Sequence, residues 1–229
     1  MLQEMWAYYN ANTDRFWEAA RTHVTLSVLA LGLALLACVP LGVATTRSGP
    51  VGRAVLNAVG IARVVPSIAV LMLLLPLMGS GFAPSLVALT LLAAPPILIN
   101  TDAGLRGLDP AVIEAARGMG FTPGRMLREV QTPLALPVIL AGVRTAAVEV
   151  IASATLATFI GGGGLGQFIV AGLALSNNGI LLVGAIPIAG LALGAEAALA
   201  TAQRALTPGA DGEPRRASLT SRTATGGKV

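Results

Sequence analysis

The sequence predicts an all-α integral membrane protein with five transmembrane helices, N-terminus outside and C-terminus inside. Three observations carry that prediction. The 229 residues are 55% hydrophobic and 11% charged, with a mean hydropathy of +0.77, where a soluble domain carries about 25% charged residues. The charges leave long neutral stretches, 25 residues from Thr22 to Thr46, 38 from Val64 to Thr101 and 46 from Val150 to Ala195, and about 20 residues cross a bilayer. The cations are also asymmetric: with the N-terminus outside, eleven fall in inner segments and only Arg15 and Arg21 in outer ones, as the positive-inside rule requires. A disordered chain, an ordinary cytosolic enzyme and a disulfide scaffold are excluded by the same composition.

Taken in order, residues 1–22 read as an N-terminal interfacial helix. Trp6, Tyr9, Phe16, Trp17 and Ala20 approximate one face, with Asp14, Arg15 and Glu18 elsewhere. Glu4, Asp14 and Glu18 against two arginines give the wrong charge for the start of a signal peptide, so the first span is expected to be its own insertion signal. That span is about 24–45. The second and third share the 38-residue neutral stretch, divided by the turn Gly79-Ser80-Gly81-Phe82-Ala83-Pro84. Val64 to Met78 would cover only about 22 Å, so the second span is set at about 54–78 with Arg63 inside it, and the third at 84–102. The fourth, 133–160, and the fifth, 179–200, flank a loop opened by Gly161, Gly162, Gly163 and Gly164. Pro66, Pro76, Pro95, Pro96 and Pro187 fall within spans, where neighbouring helices can satisfy the freed carbonyls. Gly190, Gly194 and Ala198 recur every four residues, either as a small-residue packing face or incidentally. The tail, residues 207–229, lacks apolar periodicity and reads as a disordered cytoplasmic segment.

Residues 103–132 form an inner loop that is charged and heavily punctuated. Asp109-Pro110, Thr122-Pro123 and Thr132-Pro133 each pair a side-chain acceptor with a following proline, the pattern of a helix start. Two short helices leading into the fourth span follow. In the first, Val112, Ala115, Ala116 and Met119 share an apolar face beside Glu114 and Arg117, and Gly118 or Gly120 ends it. A capped helical hairpin on the inner face offers a docking surface.

The run Glu114-Ala115-Ala116, three residues, Gly120, nine residues, Val130, then Pro133 resembles the EAA loop of the membrane subunits of binding-protein-dependent ABC importers. Thr132 departs from it, standing where a leucine is usual. The resemblance spans roughly His23 to Leu199. It implies the type-1 importer permease fold and makes residues 103–132 a cytoplasmic coupling loop seated in a cleft of an ATPase subunit. Glu114 would then be the polar anchor, Ala115 and Ala116 the close-approach residues and Gly120 the turn. The implied partners are that cytoplasmic ATPase, which would hold the ATP, an extracytoplasmic substrate-binding protein and a second permease subunit, as homodimer or heterodimer. The setting would be a bacterial cytoplasmic (inner) membrane. The segments PSIAVLMLLLPLMGSGFAPS, INTDAGLRGLDP and GGGGLGQFI are similar to permeases for osmoprotectants, the glycine betaine, choline and carnitine group. A Gly-Gly-Leu-Gly core also occurs in methionine-type permeases, so another substrate such as an amino acid remains the alternative within the family.

The residue inventory bounds the chemistry. The only lysine is Lys228, so a P-loop is absent and Gly161 to Gly164 cannot be a nucleotide loop; no catalytic residue and no bound cofactor are expected. His23 has no metal-ligand partners at usable spacing, and Cys38 reads as a small core residue. Arginines spread along the chain without an aromatic-interleaved stripe argue against nucleic acid. Of nine aromatics, five lie in the first 17 residues, leaving Phe82, Phe121, Phe159 and Phe168. With no mid-membrane aromatic group, selectivity for a quaternary ammonium is expected mainly in the binding protein. Phe82, Phe159 and Phe168 either line an outer gate or pack as an interfacial belt. The outer glycine loop serves as a tight turn or as contact for the delivering protein.

Arg144 and Glu149 stand inside the fourth span. About 140° apart on one helix, they are expected to have separate partners, and they either line the pathway or make structural pairs at a seam or rim. A self-contained channel or secondary transporter is the competing function; no inverted repeat, carboxylate relay or ion-binding motif favours it. A membrane scaffold that recruits a cytosolic partner through the hairpin is the third.

Overall fold

The computed structural model describes residues 2–206; the expected tail of residues 207–229 lies outside the described residues. Their regular structure is all helical, without a strand among them. Four helices are long and apolar enough to cross a membrane, and the count is five if a bent helix pair is one span.

The leader differs from a single interfacial helix. Helix α1 (Leu2–Ala11) stops at Asn12, whose φ of −132° leaves the helical region, and α2 begins at Thr13 and runs without interruption to Arg47. The leader's second half is therefore the outer extension of the first span, about 52 Å long at 1.5 Å per residue. The aromatic face survives the break because Tyr9 and Phe16 stack edge-on across it, 5.0 Å between centroids, with Trp6 edge-on to Tyr9 at 5.7 Å within α1.

The second span is also not one helix. Helix α3 (Gly49–Ala62) and α4 (Ser67–Met78) meet at a 100° bend. Pro66 causes it: its missing N–H breaks the ladder and its ψ of 136° is extended, so α4 has to restart at Ser67. At about 21 and 18 Å the two pieces are each shorter than the roughly 30 Å hydrocarbon thickness.

Helix α5 (Phe82–Arg106) is the centre of the molecule, packed against α2 on one side and α8 (Thr132–Ala154) on the other. Leu26, Ala30 and Ala34 of α2, Leu89, Ala93 and Ile97 of α5 and Ala146 and Val150 of α8 share one buried core. Small residues bring the backbones together. A Cβ on Gly142 of α8 would sit 2.6 Å from the Pro96 carbonyl, and one on Gly42 of α2 would sit 2.7 Å from Thr101 Cβ. In lipid such packing replaces the hydrophobic drive that water would supply.

The fourth span ends its α-helix at Ala154, and residues 156–160 tighten into a 3-10 turn. The glycine loop follows, then a short helix α9 (Gly166–Ala174) and α10 (Asn178–Leu206). Helix α10 packs on α8, α9 and α1. Its Gly190 and Gly194 face open space within the chain and line a groove of 910 Å³ shared with α2.

Candidate functional site

Four groups of functional residues are placed along the bundle, from the end carrying the charged hairpin to the end carrying the glycine loop. Helix α6 (Pro110–Gly118) starts as the sequence expects: Asp109 Oδ1 accepts from the Ala111 N–H at 2.9 Å, with Pro110 at the first position. Gly120 then takes φ +82°, a conformation only glycine adopts without strain, and the chain reverses. The two other expected caps differ. Neither Thr122 nor Thr132 makes a capping hydrogen bond. The three-residue helix α7 (Pro123–Arg125) passes through a π-helical turn, Met126–Gln131, directly into α8, so Thr132 lies inside a continuous helical path and starts nothing.

Helix α6 rests on the π-turn through buried Ala116, while Glu114, Ala115, Val112 and Met119 are exposed. Arg125 braces the return arm, stacked 4.7 Å over the Phe121 ring and bonded to both Glu129 oxygens at 2.9 and 3.1 Å. One face of the hairpin's first helix is thus free.

Just above the hairpin lies a polar network that the sequence reading did not isolate. Asp102 of α5 is buried; it accepts from Thr45 Oγ1 of α2 at 2.8 Å and from Arg106 Nε at 2.7 Å. Arg106 also donates at 2.7 Å to the Thr45 carbonyl in the last turn of α2, which the Ser48 N–H reaches as well. The last turns of α2 and α5 are therefore locked together three residues before the hairpin's Asp109 cap. Asp102 and Arg106 at i, i+4 were visible as a pair; Thr45, 57 residues away, carried no sequence signal.

In mid-bundle, Arg144 and Glu149 turn to different neighbours. Arg144 reaches α10, donating to Glu196 and, at 2.9 Å, to Gln203 Oε1, while Gln203 Nε2 donates to the Pro137 carbonyl at 3.0 Å. Glu196 went unremarked in sequence, although an acid inside an apolar span is itself a signal of a hidden partner. Glu149 instead borders a cleft at the α3/α4 bend together with Arg63.

At the far end, the glycine loop is built against its own chain. A Cβ on Gly162 would sit 2.1 Å from Ser85 Oγ, and one on Gly164, at φ +91°, 3.2 Å from His23 Nδ1. The Gly81 N–H donates to the Ile160 carbonyl at 2.7 Å, tying the loop to the α4–α5 turn. His23 Nε2 lies 3.1 Å from the Ile151 carbonyl, linking α2 to α8. Gly161 remains exposed and Gly163 half-exposed. Phe168 is buried, with Tyr8 and Phe16 against it at 6.3 and 6.1 Å; Phe82 and Phe159 are exposed.

The arrangement is a helical bundle with a capped hairpin at one end and a glycine loop at the other, and known proteins share it. Residues 38–208 match the family described as binding-protein-dependent transport system inner membrane component. The chain belongs to this family. It is 44% identical over 186 residues to the choline transport system permease protein OpuBB of Bacillus subtilis (strain 168), covering 81% of this chain and 86% of that one. It is 38% identical to the glycine betaine/carnitine/choline transport system permease protein OpuCB of the same organism, over 90% of this chain and 95% of the other. Among solved structures, the MetNI methionine ABC transporter in an inward-facing conformation superposes with a TM-score of 0.77 at 24% identity, covering 84% of this chain and 96% of the transporter chain. That likeness establishes the permease fold.

Proposed function

We propose that this chain is the transmembrane subunit of an ATP-driven importer that moves an osmoprotectant of the glycine betaine, choline and carnitine group. The observation that carries the reading is the capped α6 with Glu114 and Ala115 exposed, carried in the chain between α5 and α8. A separate cytoplasmic ATPase holds the nucleotide and grips the hairpin through the exposed Glu114 and Ala115, while the buried Ala116 seats α6 and Gly120 turns the chain. An extracytoplasmic binding protein delivers substrate to the glycine-loop end, where Gly161 and Gly163 are the accessible positions, and a second permease subunit completes the pathway. The chain performs no chemistry. It sits in the cytoplasmic membrane with the hairpin inside, as its cation distribution favours. Glu149 lines the pathway, and Arg144 holds α8 to α10.

Reconstitution tests the proposal. Proteoliposomes carrying this permease with its ATPase and binding protein should accumulate labelled glycine betaine, choline or carnitine when ATP is enclosed on the hairpin side, and not without ATP. Accumulation of methionine alone would move the substrate to the amino-acid branch. Flux without an ATPase would make the chain a self-contained transporter.

A further inference from the structure

The bend between α3 and α4 opens a cleft of 530 Å³ against α5 and α8, within the roughly 300–1,000 Å³ of small-ligand sites. Its walls are apolar, with Val59, Val70, Leu91 and Pro95 among them, and it carries a charge of each sign: Arg63 at the bend and Glu149 on α8. Neither side chain hydrogen-bonds or ion-pairs with another described residue, whereas Asp102, Arg106, Arg144 and Glu196 are all paired. The two act on each other only through space. Arg63 is exposed at the bend and Glu149 half-buried, and charged side chains within a span that lack a contact partner mark a pathway or site by default. No aromatic ring lines the cleft, so a cation there is not caged by π faces.

We infer that the cleft is a transit site for a small zwitterion, with Glu149 facing its quaternary ammonium and Arg63 its carboxylate. This rests on the importer reading above and assigns the chemistry of its pathway. A methylated ammonium has no N–H to donate, so its attraction to Glu149 is coulombic, and its methyl groups suit the apolar walls. A carboxylate can take the guanidinium fork, with the Ser67 start of α4 opening on the same cleft. Choline has the cation but no carboxylate, so it uses Glu149 and ignores Arg63.

The substrates therefore separate the two roles. In proteoliposomes containing the permease, its ATPase and its binding protein, labelled glycine betaine, carnitine and choline are followed for wild type, Glu149→Gln, Arg63→Gln and Arg63→Lys. Binding-protein-stimulated ATP hydrolysis confirms assembly of each variant. Glu149→Gln lowers import of all three at least tenfold. Arg63→Gln lowers glycine betaine and carnitine at least tenfold and leaves choline within twofold, and Arg63→Lys restores at least a third of the zwitterion import. Equal loss of choline and zwitterions in Arg63→Gln, no recovery with Lys, or wild-type rates in Glu149→Gln would each overturn the assignment. So would a wild-type system that carries choline and no zwitterion. No import of any of the three by wild type would instead sink the osmoprotectant reading itself.

Discussion

Asp102→Ala is expected to destabilise the hairpin end of the bundle by about 2 kcal/mol and to loosen coupling between ATP hydrolysis and transport. The side chain is 6% exposed and receives two hydrogen bonds, each worth about 1.5–3 kcal/mol when one partner is charged. The full sum does not apply. Thr45 Oγ1 keeps a second acceptor in the Gly42 carbonyl at 2.7 Å, and Arg106, 41% exposed, keeps the Thr45 carbonyl and regains water. About 2 kcal/mol is a shift of roughly 30-fold in the folded-to-unfolded ratio. Reversible unfolding of the purified permease in mixed detergent micelles measures it for Asp102→Ala, Thr45→Val and the double variant. The cycle should return a coupling near 1 kcal/mol, since the two residues share one hydrogen bond. Transport gives the second readout: α2 and α5 lose the Thr45–Asp102 bond and rely on Arg106 to the Thr45 carbonyl where the hairpin begins, so more ATP is hydrolysed per substrate imported. Additive single-variant effects, or an unchanged ratio of ATP to substrate alongside a shift below 0.5 kcal/mol, would refute the argument.

Three further outcomes follow from the packing. Ala115→Arg lies on the exposed face of α6 and should leave thermal stability nearly unchanged, within about 0.5 kcal/mol, while co-purification of the ATPase falls; Ala116→Arg, placed at the buried contact, should lower both. Gly142→Val forces a Cβ to within 2.6 Å of Asn100 and Pro96 and should cost about 1–3 kcal/mol by prying α8 from α5, read as a lowered Tm of the purified permease. Arg144→Met leaves Glu196 unpaired between α8 and α10. With both side chains about one-third exposed the loss is expected near 1–2 kcal/mol, and the Arg144→Met, Glu196→Met double variant should unfold closer to wild type than either single one.

Long-range chemistry was legible where it repeats locally and hidden where it does not. Neutral stretches and the Asp109-Pro110 cap are properties of adjacent residues, so span number and the start of α6 could be read directly. Thr45 with Asp102, Arg144 with Glu196, and His23 with the Ile151 carbonyl join residues 52 to 128 positions apart. No periodicity encodes such a meeting. Thr132 shows the opposite failure: the local pattern of acceptor plus proline was present, but the continuous path from Pro123 through the π-turn into α8 supplied the backbone acceptors first, whereas Thr122 does stand at the start of that path, without a side-chain cap bond. Proline at the first turn is compatible with a helix that has already begun.

The α3/α4 bend shows how one residue can hide a span and create a site. Hydropathy over 54–78 is continuous, and it says nothing about direction; Pro66 turns that apolar run through 100°. A straight helix through Arg63 would bury the guanidinium along its own flank or send it snorkelling to the nearer interface. At the bend, the chain changes direction while both pieces stay packed on α5, and Arg63 lies exposed beside a cleft that Glu149 of α8 also lines. The charge is placed where the helix ladder is already broken, so accommodating a polar ligand there disrupts no further intrahelical hydrogen bond. Replacing Pro66 by Ala tests this directly. A mended helix should lessen the bend and close the cleft, reducing zwitterion import more than stability, whereas unchanged import would separate the bend from the pathway.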